Sequence, residues 1–291
     1  MVFISSPANP RVNKLLDLHT TRGRKKSGLF LMEGPHLLEA LLDAGMLPRE
    51  VYYQPDLLQR TEEGKSLLAR LLHVSAVPRE GLVEVSERVI AALGEAQTSQ
   101  GVISVLAMET FDPSILRARR AAVPRPALLI LDDLADPGNM GTLLRTALAA
   151  DVDEVLLTPH CVDCYSPKVV RAAAGAHVAL PISANQGWQA LVERVRMHCG
   201  GRPRVLLAEA GSGHLYYEQD LKAPFALIIG SEAHGPSQAA RALATLTISI
   251  PLANGVESLN AAMAAGIVLY EGVRQSRSAS PEPGDHGQHK R

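Results

Sequence analysis

The sequence predicts an α/β protein of two domains, and three observations lead to that expectation. A chain of 291 residues is about twice the length of a common domain, enough for two cores without disulfide or metal staples. From residue 127 onward, short apolar runs alternate with segments of helical period. Several runs, such as Ala-Leu-Leu-Ile-Leu at 127–131 and Ala-Leu-Ile-Ile at 226–229, are apolar at every position, as parallel strands covered on both faces must be. The expected architecture is a parallel-sheet C-terminal domain behind a smaller α/β domain.

The first domain, 1–108, opens with a basic, Pro- and Asn-containing stretch and then becomes periodic. An amphipathic helix over Leu37–Leu42 ends at Gly45, Val51-Tyr52-Tyr53 forms a strand, Leu67–Leu72 a second helix and Gly101–Leu106 a second strand. At 109–126 three prolines (Pro113, Pro124, Pro126) and four arginines (Arg117, Arg119, Arg120, Arg125) interrupt the pattern, which reads as an interdomain linker. The second domain, 127–275, alternates strands at 127–131, 154–158, 178–182, 204–208, 225–230 and 246–250 with helices at 140–150, 167–174, 188–198, 236–243 and 259–273. Residues 276–291 hold Ser, Pro, Gly, His and charge without periodicity, so a disordered tail is expected.

Composition excludes several classes. Apolar residues at 46% and charged residues at 20% are ordinary for a globular chain. With 29 Lys+Arg against 30 Asp+Glu there is no global positive field, so a nucleic acid must be met by a local patch. Cys161, Cys164 and Cys199 are too few and odd in number for a secreted disulfide framework and fit a reducing cytoplasm. The N-terminus lacks the apolar region of a signal peptide, and the uncharged stretches 242–256 and 258–270 fall short of the roughly 18 apolar residues of a spanning helix. No membrane partner is expected.

Ligands of open α/β sheets lie outside the carboxyl ends of the strands, so the residues after each apolar run are the informative ones. Asp136-Pro137-Gly138-Asn139 precedes a helix that Asn139 is placed to cap, with Arg145 further along it. Taken alone, that spacing describes a capped helix with a solvated arginine. Gly230-Ser-Glu232-Ala-His-Gly235 follows another strand, its glycines permitting close backbone approach to a ligand. Ile250-Pro251-Leu252 leads to Ser258-Leu259-Asn260, where Ser258 reads as an N-cap before a helix of small residues.

In this order the three segments resemble the motifs of the SpoU/TrmH family of RNA ribose 2'-O-methyltransferases, within the SPOUT class. The resemblance is carried by Asn139, Gly141 and Arg145, by Gly230, Glu232 and Gly235, and by Ile250, Pro251, Ser258, Leu259 and Asn260. The stretch 163–176 is similar to the family's connecting segment, with Ala173 where a serine is usual. Asn9-Pro10-Arg11, Phe30–Gly34 and Gln100-Gly101-Val102 are similar to the substrate-binding module of the ribosomal-RNA members.

The resemblance implies a deep trefoil knot in the C-terminal domain, S-adenosylmethionine as cofactor, and a homodimer with the active site at the subunit interface. It places Gly230, Gly235, Ile250, Leu252 and Leu259 against the cofactor, and Asn139, Arg145, Glu232, Ser258 and Asn260 on catalytic positions. Methyl transfer to a ribose hydroxyl needs in-line alignment and loss of a proton from a weak acid. Arg145 is a poor literal base because guanidinium is hardly ever neutral, so binding a flanking phosphate and stabilising alkoxide charge suits it better, with water as proton acceptor.

The substrate implied is large-subunit (23S-type) ribosomal RNA; tRNA, or an RNA-binding assembly factor without turnover, stay open as alternatives. Near the N-terminus Arg11, Lys14, Arg22, Arg24, Lys25 and Lys26 face one acid, Asp17, and with the linker arginines, Lys168 and Arg171 they form the candidate RNA-backbone footprint. Aromatics at 4% argue against a base-stacking platform. Cys161-Val-Asp-Cys164 has the spacing of half a zinc site, but a second compact pair is missing, so no metal is expected. Neither G-x-G-x-x-G after the first strand nor G-x-x-x-x-G-K-[ST] occurs, which disfavours nicotinamide dehydrogenases and triphosphatases.

Overall fold

The computed structural model describes residues 2–73, 80–94, 99–120, 125–211 and 213–278. In the first domain, side chains alternate across a mixed sheet so that both faces are buried. Strand β1 (Val2–Ile4) is followed by α1 (Pro10–Leu16), α2 (Thr21–Ser27) and β2 (Leu29–Glu33); α3 (Pro35–Asp43), β3 (Glu50–Tyr53), α4 (Pro55–Leu58) and α5 (Glu62–His73) come next. Strand β4 (Leu82–Val85), α6 (Glu87–Leu93) and β5 (Val102–Ala107) complete the sheet, ordered β1-β4-β3-β5-β2. Phe30 and Met32 of β2 face a core with α3 and α5, while Leu31 faces Val12, Leu15, Val89 and Ile90 of α1 and α6 on the other side. Helix α7 (Pro113–Arg119) lies in the stretch read as a linker and buries Leu116, with Phe111 just before it, in the first of these cores. Asp112 caps α7 by accepting from the Ser114 amide (2.8 Å).

The second domain carries β6 (Ala127–Leu131), α8 (Pro137–Ala149), β7 (Glu154–Leu157), α9 (Pro167–Ala172), β8 (Ile182–Ser183) and α10 (Trp188–His198). Then come β9 (Val205–Ala208), β10 (Phe225–Ile229), α11 (Gln238–Leu243), β11 (Leu246–Ile248) and α12 (Ala261–Ser278). All pairings are parallel, in the order β11-β9-β10-β6-β7-β8. Leu129 and Leu131 pack under α8, α9 and α12, whereas Leu128 and Ile130 pack under α10 and α11, which is why β6 has no polar position. Helix α9 crosses α8 at Gly141, where a Cβ would overlap the Cβ of Ala172 and come within 2.9 Å of the Val169 carbonyl.

Several sequence expectations are corrected. The run 178–182 is a 3-10 turn over Ala176–Val178 followed by the short β8; Pro181 has no N–H to give to a ladder and joins it only through its carbonyl, which accepts from the Val155 amide (2.9 Å). The last helix starts at Ala261 and continues to Ser278, so the first residues of the expected tail are helical; 279–291 lie outside the described residues. The linker arginines hold the domains together: Arg119 donates to the Ala44 carbonyl, Arg120 to the Val152 and Asp153 carbonyls, Arg125 pairs with Asp151, and Arg117 pairs with the buried Glu154 (2.6 Å). Arg120 and Arg125, each 12% exposed, are thereby withdrawn from the RNA footprint, whereas Arg119 stays exposed. Arg24 is withdrawn too. It is 1% exposed, and its guanidinium meets Asp163 of the second domain, the Leu18 carbonyl and the Thr21 hydroxyl.

The domain seam is apolar as well as ionic. Val170 and Val178 of the second domain enter the core of the first, and Tyr165 packs on Phe30 (centroids 4.8 Å) and on His177 (5.6 Å). His177 is buried, with Nε2 donating to the Cys164 carbonyl (2.8 Å), and burial holds its pKa down at about 4. An unfolded imidazole takes its proton near pH 6.5, so between the two values the unfolded chain binds more protons and stability falls as pH falls. Between pH 7.5 and 5.0 this one group should cost roughly 2 kcal/mol, read from urea unfolding at the two pH values. His177→Gln keeps a donor without titrating and should lose less over that interval; an unchanged pH dependence in that variant would show that His177 is not the responsible group.

Candidate active site

Beyond the carboxyl ends of β9, β10 and β11 lies a cavity of about 520 Å³, within the range of small-molecule sites. Its floor is apolar, made by Ile229, Ile248, Ala264 and Val268, and its rim polar, with Glu209, Ser231, Glu232, Ser258 and Asn260. The Gly230–Pro236 turn forms one wall. A Cβ on Gly230 would stand 2.5 Å from the Pro236 nitrogen, so only glycine allows the turn to close there. Ser231 and Gly235 form a bridge across it, and the buried Asp132 at the end of β6 holds its far end by accepting from the Ser237 amide (2.7 Å).

Three segments distant in sequence meet at the cavity mouth. Asn260 caps α12, its Oδ1 accepting from the amides of Ala262 (2.9 Å) and Met263 (3.3 Å). Its Nδ2 therefore faces outward and donates to Asn139 Oδ1 (2.8 Å). That fixes the Asn139 amide in turn, and Asn139 Nδ2 donates to Glu232 Oε1 (2.6 Å). The α8 cap is Asp136, which accepts from the Asn139 amide (2.7 Å) with Pro137 at the first helical position. Asn139 is thus not the cap the sequence suggested, and its side chain is free to cross the site. Likewise Asn260, not Ser258, caps the last helix.

The structure places the sequence candidates unequally. Gly230, Gly235, Ile250, Leu252 and Leu259 all line the cavity, as do Asn139, Glu232, Ser258 and Asn260. Arg145 does not. Six residues along an α-helix rotate the side chain by about 120° and advance it by about 9 Å, so Arg145 leaves a different side of α8 from Asn139. It is exposed, as are Lys14, Arg22, Lys25, Lys168 and Arg171. Arg11 is held over the Tyr52 ring and pairs with Glu50 (3.0 Å).

Sequence reasoning missed the third wall, Ala208-Glu209-Ala210, although it also follows an apolar strand. Arg241 clamps Glu209 with two 2.6 Å hydrogen bonds, which hold its carboxyl below the usual range. The two cysteines of the half-zinc spacing serve the core: Cys161 donates to the Leu131 carbonyl (3.2 Å), and burial pushes the Cys164 thiol up to about 12.

Residues 126–270 match the model of the SpoU rRNA Methylase family, and residues 9–104 match the MRM3-like substrate binding domain. An uncharacterized tRNA/rRNA methyltransferase of Synechocystis is 37% identical, covering 95% of both chains. The 23S rRNA (guanosine(2553)-2'-O)-methyltransferase RlmP of Bacillus subtilis is 29% identical over 93% of this chain and 98% of its own. Among solved structures, the SpoU methyltransferase AviRb of Streptomyces viridochromogenes in complex with AdoMet superposes with a TM-score of 0.79, at 26% identity, over 94% of this chain and 100% of its own. With its site assembled from the family's three motif segments, the chain belongs to the SpoU rRNA methylase family.

Proposed function

We propose that this chain transfers a methyl group from S-adenosylmethionine to a ribose 2'-hydroxyl of ribosomal RNA, with the large-subunit RNA as substrate. The observation that carries the reading is the cavity beyond β9, β10 and β11, whose glycine turn, apolar floor and interlocked Asn139, Glu232 and Asn260 stand on the fold of AdoMet-bound relatives. The cavity suits that cofactor: the floor accepts a flat heteroaromatic base, and the carboxylate of Glu232 at the rim suits a cationic ligand. When bound, it supplies an electrophilic methyl on a sulfonium.

The protein's own part is alignment and charge. Asn139 and Asn260 hold Glu232 in one orientation at the mouth, and Ser258 and Leu259 border the opening through which a nucleotide would enter. Arg145 binds the flanking phosphate and stabilises the developing alkoxide, and water takes the hydroxyl proton. Lys14, Arg22, Lys25, Lys168 and Arg171, all exposed, serve as phosphate contacts, with Arg11 a weaker one because of Glu50.

The reading includes a homodimer. Arg145 of the same chain does not line the cavity, and Val256, Leu259, Met263 and Tyr270 leave an apolar strip exposed along the cavity loop and α12. In this reading a second copy packs on that strip, and the site is completed by Arg145 of the partner subunit. The trefoil knot belongs to the same reading, supported by the return of 230–236, 250–260 and α12 to the carboxyl edge of the sheet beside α8. The three unpaired cysteines suit a cytoplasmic enzyme, and no helix among the described residues is long and apolar enough to cross a membrane.

Tritium from labelled S-adenosylmethionine should enter ribosomal RNA when total unmodified RNA is the acceptor; label confined to tRNA would keep the chemistry and change the substrate. Asn139→Asp places a carboxylate against Glu232 and should weaken cofactor binding at least tenfold by calorimetry, whereas unchanged affinity would remove that network from the site. Arg145→Lys should lose at least tenfold in kcat with cofactor affinity kept, because an ammonium cannot reproduce the planar fork. Mixing inactive Arg145→Ala with inactive Asn139→Ala chains should restore about a quarter of wild-type activity through mixed dimers with one complete site. No restoration, with subunit exchange demonstrated, would place both residues in one chain's site.

A further inference from the structure

We infer that the Arg24–Asp163 pair is a positioning clamp: it fixes the basic face of the first domain relative to the methyl-transfer site, so that RNA held by one domain is presented to the other. This inference rests on the proposed function for its substrate. The two residues are 139 positions apart and belong to different domains, yet both Nε and Nη2 of Arg24 reach one oxygen of Asp163, at 3.0 and 2.7 Å. The rest of the guanidinium is bound inside its own domain, by the Leu18 carbonyl (2.7 Å) and the Thr21 hydroxyl (3.1 Å). An arginine so enclosed has no capacity left for phosphate. Left unpaired it would be a buried charge, which is far more costly than a broken surface pair.

Asp163 divides its two oxygens between two tasks. Oδ2 takes Arg24, while Oδ1 accepts from the Tyr165 amide (2.9 Å) and shapes the turn that starts α9. From there the contacts lead to the site. Helix α9 is seated on α8 at Gly141, with no room for a side chain between them, and α8 carries Asn139 into the cavity mouth. On the other side of the clamp, Arg24 lies within α2, whose exposed face carries Arg22, Lys25 and Lys26. The pair therefore joins the helix that presents phosphate-binding charge to the helix stack that holds the catalytic asparagine. None of the exposed cations is consumed in doing so.

The test separates presentation from binding. Asp163→Asn keeps the turn-forming oxygen and removes the charge; Arg24→Met keeps the stem packing and removes the guanidinium. In the full-length protein each variant should bind S-adenosylmethionine with wild-type stoichiometry, and bind ribosomal RNA within twofold of wild-type affinity at fixed salt. Each should lose at least tenfold in kcat at saturating RNA, and the double variant should lose no more than the worse single, as expected of two ends of one interaction. Wild-type kcat in both folded variants would overturn the clamp, as would a loss confined to RNA affinity. If the wild-type chain methylates no RNA, the proposed function fails by itself. The clamp is then judged by hydrogen exchange over 163–172, which Asp163→Asn must accelerate together with α2; unchanged exchange overturns it.

Discussion

The site depends on a directed row of hydrogen bonds that begins at the amide end of α12 and runs through Asn260 and Asn139 to Glu232. Each bond settles the next. The α12 amides can only donate, so the Asn260 oxygen must face them and its nitrogen must face Asn139, whose own nitrogen is then left for a carboxylate. A row of this kind has one arrangement, and it ties the end of the chain to the first helix of the domain and to the glycine turn after β10. The cavity keeps its shape because three of its walls are attached to one another at the mouth. Asp132 and the Arg241–Glu209 pair brace the far ends of those walls.

Beneath the site, the fold supplies a rigid base through ordinary means. The central strands are buried on both faces, which commits β6 and β10 to the middle of the sheet and leaves their carboxyl ends, where polar residues begin, as the natural place for a ligand. The first domain is attached by a seam of different character. Phe30, Tyr165 and His177 make an apolar joint, and arginines on both sides of it are used as struts. Of the cations that make the sequence look locally basic, part therefore serves architecture and part faces solvent.

Much of this was legible in the residues. The uniformly apolar runs at 127–131 and 226–229 specify parallel strands without help from the structure, and nine of the ten catalytic and cofactor candidates line one cavity. What stayed illegible has physical causes. Asp136 and Asn139, like Ser258 and Asn260, are both competent caps; Pro137 at the first turn decides the first case and the geometry of the row decides the second. Arg24 and the linker arginines look like solvated charge because their partners are distant in sequence and only the folded chain brings them together. Strands β1, β2 and β4 went unread although β3, of only four residues, did not; they are recognised as strands only once the sheet pairs them. The position of Arg145 was hidden for another reason: a motif records spacing along the chain, not the side of the helix a residue leaves.

The proposed reaction places the methyl on a ribose oxygen of ribosomal RNA. Digesting the product RNA to nucleosides after reaction with deuterated-methyl donor, and fragmenting them by mass spectrometry, locates the label directly. The added mass should leave with the ribose fragment of one nucleoside from the large-subunit RNA. Label on the base fragment, or none in ribosomal RNA while the cofactor is bound, would contradict ribose methylation of that RNA.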